Sequence, residues 1–394
     1  MLRTLLVHLL LGCRQLRERD FYSSDPLVLQ TLGLRQMPSV PTLSRMLASM
    51  DGGSIGELRA LNRDLVLQRL EQQNWRTLTL DFDGSVLSTS RHAEGTAVGF
   101  NKQKKGARSY YPLFCHIAQS GQVFDVFSRS GNVHDSNGAG QFVHDCITHV
   151  RERLGHRVRL EVRLDSAFFS DELVQHLEAL SVTYSISVPF ERFAALKAKI
   201  ETRKRWLATV GRKGCYHFEE NWKPQCWSRK RRFLFVGQEV AVQNKEPIQL
   251  DLFVPVRGDM EFKVILTNHR LSAGKVVSLH EGRGCQEKVF GEMKSHVQLG
   301  YIPCRKWLAN QTWQMCAILT HNLGRELQMQ NLPQHEGLGL KRTARWVFEE
   351  LGTLRRTVLQ RAGKLSRPMG KWTLTLPEIP ALKAAFERFG FAFQ

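Results

Sequence analysis

The sequence predicts an α/β protein: a mixed sheet flanked by helices, preceded by a helical amino-terminal region and interrupted by a mainly β insertion. Three observations predict it. Apolar, strand-like runs end in acids at Thr77–Asp83 and Val158–Asp165. Between residues 75 and 188, strand-period and helix-period segments follow one another at short spacing. From 190 to 262 the pattern turns Trp-, Gly- and Arg-rich with period-two alternation, before an apolar run returns at Phe262–Thr267.

In chain order, residues 1–73 read as helices at Thr4–Leu16, Asp25–Leu32, Thr42–Ala48 and Ile55–Gln72, with Ser39 or Thr42 as a cap. The apolar start Leu5–Cys13 runs straight into Arg14–Arg19, so it reads as an amphipathic or buried helix rather than an export signal. The segment around Arg45 fits either a helix-turn-helix aiming Arg45 at DNA or a small bundle packed on the core. Residues 74–189 hold strands at Arg76–Leu87, Ser109–Ile117 and Val123–Ser128. A helix capped by Asp135 and Ser136 then runs to Val150, followed by strand Val158–Asp165, helix Ser170–Leu180 and strand Val182–Val188. This order of strands and helices is that of the ribonuclease-H-like fold.

The insertion, 190–262, opens with a helix over Arg192–Arg205 and contains alternating sequence at Glu239–Val242 and Leu250–Val254. Residues 263–333 return to the core, with helices at Arg283–Val297 and Trp313–Glu326. The last region, 334–394, is basic: between Leu354 and Lys371 there are six Lys or Arg and no acid.

A formal charge of +19 over 394 residues calls for a polyanionic partner, which on charge alone is nucleic acid or an anionic membrane. No run reaches the roughly 18 to 20 apolar residues of a membrane span. The eight cysteines are scattered and form no Cys-x-x-Cys pair, which argues against a zinc ribbon and for reduced, buried thiols in the cytosol.

The acids carry the chemistry. Asp83 and Asp165 stand at strand ends, and Glu287 lies in His280-x-x-Arg283-x-x-x-Glu287, with Lys294 seven residues further on. Three carboxylates at such positions in a basic chain suit hard divalent cations that clamp the attacking and leaving oxygens of a phosphodiester. Asp81 shares a strand face with Asp83 and is the alternative first ligand. Taken singly, each has a plainer reading: a turn residue for Asp83, a helix cap for Asp165, a surface ion-pair ladder for Arg283, Glu287 and Lys294. Glu292 is a competing acid outside the pattern.

These positions resemble the DDE transposases of bacterial insertion sequences, in the cut-and-paste branch with a Tyr-Arg-Glu-Lys signature. The spacing of Arg283, Glu287 and Lys294 matches the signature, and His280 stands where that family has Tyr. Gly99–Lys102, Ser109–Leu113, Gly131–Asp135, Asp165–Phe169 and Thr267–Arg270 are also similar to the family, so that the resemblance spans roughly residues 30 to 330. It implies a metal-dependent enzyme that cleaves double-stranded DNA at terminal inverted repeats and transfers the strand to target DNA. Asp83, Asp165 and Glu287 would be catalytic and metal-ligating, with Mg2+ as cofactor and Mn2+ as substitute. His280, Arg283 and Lys294 would hold phosphates. A homodimer on DNA in the bacterial cytoplasm, associated with the nucleoid, is implied as well, with no membrane or small-molecule partner. More chain before this region is usual in the family. His280 in place of Tyr keeps open a catalytically inactive, transposase-derived DNA-binding protein as the alternative. An RNA-binding protein that cleaves nothing is a third.

Two basic segments join the DNA-binding candidates. The loop before Ser109 contributes Lys104, Lys105 and Arg108. From Glu201 to Phe235 there are ten Lys or Arg against three acids, interleaved with Trp206, Trp222 and Trp227. Such interleaving suits stacking on a displaced base, with Trp227 beside Arg229, Lys230 and Arg231 the leading candidate. A small β core built on the three Trp is the slightly favoured reading of each.

Overall fold

The computed structural model describes residues 1–99, 101, 104–133, 138–239, 260–335 and 339–390. Helices α1 (Leu2–Leu10), α2 (Pro26–Leu32), α3 (Val40–Ala48) and α4 (Gly52–Glu71) come first. Their starts are written in local chemistry: Asp25, Ser39 and Asp51 each accept backbone N–H groups of the first turn. Arg45 is exposed, while Leu43, Met46 and Leu47 of the same helix are buried, so α3 presents one apolar face to the protein.

Strand β1 (Thr77–Gly84) is followed by three short strands, β2 (Leu87–Thr89), β3 (Ala97–Val98) and β4 (Arg108–Tyr110), which form a small separate sheet. The main sheet continues with β5 (Leu113–Ile117) and β6 (Gln122–Phe127), helix α5 (Ala139–Leu154), β7 (Arg159–Leu164), α6 (Asp171–Ala179) and β8 (Thr183–Ser187). Its order here is β6-β5-β1-β7-β8. β5 runs antiparallel to β1, whereas β7 and β8 run parallel to it. Third-second-first-fourth-fifth with an antiparallel second strand is the ribonuclease-H-like arrangement that the element order predicts. Asp135 and Ser136, read as caps of α5, lie outside the described residues, as do His134, Phe100 and Lys102.

After α7 (Ala194–Thr202) come β9 (Leu207–Ala208), β10 (Cys215–Trp222), β11 (Arg231–Glu239) and β12 (Met260–Thr267). These extend the same sheet as β8-β12-β11-β10-β9, so among the described residues one nine-stranded sheet runs through core and insertion. The alternating segments at Val240–Val242 and Leu250–Val254 lie outside the described residues. Then α8 (Ala273–Glu281), a single 3-10 turn (Gly282–Gly284) and α9 (Cys285–His296) follow one another closely, and α10 (Trp307–Asn331) is buried along much of its length. No helix among the described residues is long and apolar enough to cross a membrane.

Strands β1, β5, β6 and β7 are buried on both faces for most of their length, so the polar members of their alternating runs, such as Asp81, Glu161 and Arg163, lie inside the protein and take partners there. One cluster, including Leu80, Phe82, Val143 and Val162, fills the side of α5 and α6. A second, around Trp313, Phe290 and Phe114, lies under α9 and α10 and takes in Leu5 and Leu47 from the amino-terminal helices.

Candidate active site

Strand register builds the first half of the site. β1 and β7 pair in parallel from Thr77↔Arg159 to Asp81↔Arg163. Continuing that register two residues places Asp83 beside Asp165, each at the carboxyl end of its strand. This is where loops leave a parallel sheet and ligands collect. Asp83 is half-buried, and its Oδ1 accepts from the Gly84 N–H at 2.9 Å. Asp165 is half-buried too, and its Oδ1 accepts from the Ala167 N–H at 2.9 Å, so it also caps the short 3-10 turn after β7.

One step below, Asp81 meets Arg163. Arg163 donates from Nε and Nη2 to the two oxygens of Asp81 at 2.5 and 2.6 Å, and both side chains are buried. Its Nη1 reaches the carbonyls of Leu279 and Lys341, each at 2.7 Å. Asp81 is therefore consumed in a closed, bidentate pair, which leaves Asp83 as the acid of this strand that faces the site. Sequence reasoning missed Arg163. The signal was present: Arg163 precedes Asp165 by two positions, as Asp81 precedes Asp83, and period two puts both members on one face.

The second half of the site is the helical run after β12. Arg283 Nη1 stands 3.2 Å from Asp83 Oδ2, and Gln286 Nε2 donates to the same oxygen at 3.1 Å. Residues three apart share a helix face, so the pair Arg283 and Gln286 grips one carboxylate. Gln286 was legible at that spacing and was not singled out. Glu287 follows directly and is exposed. Lys294 is half-buried, and burial pulls its pKa below the usual lysine value. Glu292 faces away: it is buried, bonded to Arg325, and accepts from the Leu351 N–H at 2.9 Å.

Two expectations are corrected. His280 does not reach out toward a phosphate. It is buried, with Nε2 2.8 Å from Ser187 Oγ and Nδ1 3.0 Å from Ser185 Oγ on β8. Burial, reinforced by Arg283, Arg163 and Lys263, pushes its pKa down to about 3, so it is a neutral strut between α8 and the sheet. Trp227 is not a free stacking platform either. It is 6% exposed, stacks on Phe169 at 4.6 Å between centroids, and carries Arg231 on its ring at 5.3 Å. Trp206 and Trp222 likewise pack against Phe218 and Phe233, so the three Trp belong to a β core.

The basic candidates divide. Arg231 is buried between Asp171 at 2.8 Å and Glu178 at 3.0 Å, and Arg229 pairs with Glu178. Arg108 folds back on Thr96. Lys104, Lys105 and Lys230 are exposed.

As donors, Asp83, Asp165 and Glu287 suit a hard divalent cation, and the sheet brings the first two together. The third does not join them in this structure. Among the described residues no group of three His, Cys, Asp or Glu stands ready to hold a metal ion, and Asp83 Oδ2 is engaged by Arg283 and Gln286.

A family model described as "Transposase DDE domain group 1" matches residues 1–390. Among curated proteins none matches. Of solved structures, a cryo-EM piggyBac transposase synaptic complex with hairpin DNA is similar at 13% identity and a TM-score of 0.44, covering 82% of this chain and 66% of that chain. A pre-cleavage Mos1 transpososome and a Mos1 mariner paired-end complex with Mn are similar at 12% and 13% identity, each with a TM-score of 0.20, covering 43% of this chain and 56% of those chains. The chain thus spans just under two thirds of the length of the first and little more than half of the others.

Proposed function

Since the chain belongs to the DDE transposase family of group 1, whose model runs through residues 1–390, we propose that it performs metal-dependent cut-and-paste transposition. It cuts double-stranded DNA at terminal inverted repeats and joins the freed 3′ end to target DNA. The reading is supported by the β1–β7 register, which carried two residues beyond Asp81↔Arg163 brings Asp83 level with Asp165, and by the helix that bears Glu287 docking onto Asp83 through Arg283 and Gln286.

Asp83, Asp165 and Glu287 are the residues that would hold the ion, magnesium or its substitute manganese, through hard oxygen donors. When bound, such an ion neutralises phosphate charge and acidifies water. The chain's own residues position the DNA. Arg283 brings a planar, always-charged fork to the acid edge, suited to two phosphate oxygens, and Lys294 adds a point charge further along α9. Lys104 and Lys105, in the loop before β4, extend the basic surface. A homodimer would bring two transposon ends together. The place of action is the bacterial cytoplasm.

A second reading, an inactive DNA-binding descendant, draws on one observation: the three acids do not close into one group. Excision from a plasmid carrying the element's own ends separates the two. The active reading expects magnesium-dependent excision by the unaltered chain and at least a thousandfold loss in Glu287→Gln, on the order of a lost transition-state charge clamp. Repeat-specific binding without excision by either protein would leave the inactive descendant standing.

A further inference from the structure

The stretch Thr267-Asn268-His269-Arg270 has no part in the chemistry above, and it is a built turn. Thr267 Oγ1 donates to the Tyr184 carbonyl at 2.7 Å and accepts from the His269 N–H at 3.1 Å. Asn268 accepts from the Tyr184 N–H at 2.8 Å and donates to the Val182 carbonyl at 3.0 Å. Arg232 donates to the His269 carbonyl and, at 3.0 Å, to that of Leu271. The turn is thus tied to β8 on one side and to β11 on the other.

It faces an open groove of about 710 Å3. Five cations line the groove: Arg229, Lys230, Arg231, Arg232 and Arg270. Arg229 and Arg231 are matched by Glu178 and Asp171, and Arg232 by Glu219. These ion pairs hold the β10–β11 connection in place and leave little net charge. Lys230 and Arg270 are exposed, and among the described residues no acid pairs with either. His269, also in the lining, is 5% exposed and has a buried Nε2 without a hydrogen-bond partner.

The groove is remote from the acids. β12 is antiparallel to β8, with Thr267 beside Ser185, so the turn lies toward the amino-terminal edge of β7 and β8. About five residues of rise and three strand spacings separate it from Asp83, on the order of 20 Å.

We propose that this groove is a second DNA-backbone site, in which Lys230 and Arg270 neutralise phosphates of a duplex whose scissile bond lies at the acid edge. It rests on the reading that the chain acts on DNA. Two unmatched cations on a rigid, otherwise neutralised frame in an open groove suit a continuous polyanion. At ~3.4 Å per step along one strand, the contact falls about six base pairs from the cut.

The test is the salt dependence of binding to a duplex carrying the element's end, measured for the full chain and for the double substitution Lys230→Ala with Arg270→Ala. The slope of log affinity against log salt should fall by about two, with roughly tenfold weaker binding at low salt. Lys230→Arg with Arg270→Lys should keep the slope, and thermal unfolding should be unchanged in all three proteins. An unchanged slope in the alanine variant, with the unaltered chain binding normally, overturns the groove and leaves the transposase reading intact. So does a groove that responds only to inorganic phosphate, seen as a phosphate-induced rise in melting temperature lost in the variant without any change in duplex binding. If the unaltered chain binds no duplex at any salt, both readings fall.

Discussion

Arg163 holds Asp81 by two parallel hydrogen bonds, at 2.5 and 2.6 Å, inside the sheet and two residues below Asp83 and Asp165 on their strands. The same guanidinium holds the carbonyls of Leu279, near the end of α8, and of Lys341. One buried side chain therefore ties the floor of the acid edge to the helical run that carries Glu287 and to the carboxy-terminal region. Removing either partner strands a buried charge. Asp81→Asn and Arg163→Met are each expected to cost about 3–5 kcal/mol in chemical unfolding. Arg163→Lys should not restore the loss, since an ammonium cannot span two carboxylate oxygens and two carbonyls.

Gly282 sits where this junction is tightest. A Cβ there would lie 1.9 Å from the Lys341 carbonyl oxygen and 2.3 Å from Arg163 Nη1. Neither can yield: one is backbone, the other is locked in the pair with Asp81. Gly282→Ala is expected to lower stability by about 1–3 kcal/mol, as overpacking does. It should also reduce excision, because Arg283 follows directly and Glu287 lies on the helix that comes next. Full excision with an unchanged melting temperature would show that the junction has slack.

Trp227 gives a prediction of the opposite kind. Its stack on Phe169 and its near-complete burial make it a packing residue. Trp227→Ala is expected to destabilise the fold by about 3–5 kcal/mol. A variant as stable as the unaltered chain but impaired on DNA would return it to the surface role.

Stability should fall in acid through buried neutral histidines. Burial lowers the pKa of His116 and His280 to about 3 and that of His8 to about 4. Unfolded, each takes up a proton near 6.5. The folded values are depressed, so their contribution is complete above about pH 6.5 and is lost as pH falls through about 4 for His8 and about 3 for His116 and His280. In that window each histidine removes up to about 1.4 kcal/mol per pH unit. Melting temperatures at pH 7.5, 6.0 and 4.5 should decline progressively. His116→Gln should flatten the decline, since it removes one proton uptake.

Much of the fold was legible because its causes are local. Strand β1 predicted at Arg76–Leu87 is found at Thr77–Gly84, and the helix predicted at Ser170–Leu180 is found at Asp171–Ala179. Period-two apolar runs and Ser170 as a cap act within a few residues and need no distant partner. The long helix was underestimated: Trp313–Glu326 is the heart of α10, Trp307–Asn331. Its buried Asn310 and Gln328 make the ends look polar, whereas the fold gives these amides a place inside.

The candidate site was legible in part, for the same reason. Spacing along one helix relates Arg283, Glu287 and Lys294, and acids at the ends of two apolar runs mark Asp83 and Asp165. The sequence by itself thus determined the α/β class, the order of the core elements and a short set of acids and bases on particular faces. Only the tertiary structure decided which of these meet. It spent Asp81 on Arg163, turned His280 inward onto Ser185 and Ser187, buried Trp227 against Phe169 and set Arg283 on Asp83. Periodicity reports the face on which a side chain leaves its own element. Whether that face meets solvent, a carboxylate or an aromatic ring depends on chain brought in from far along the sequence.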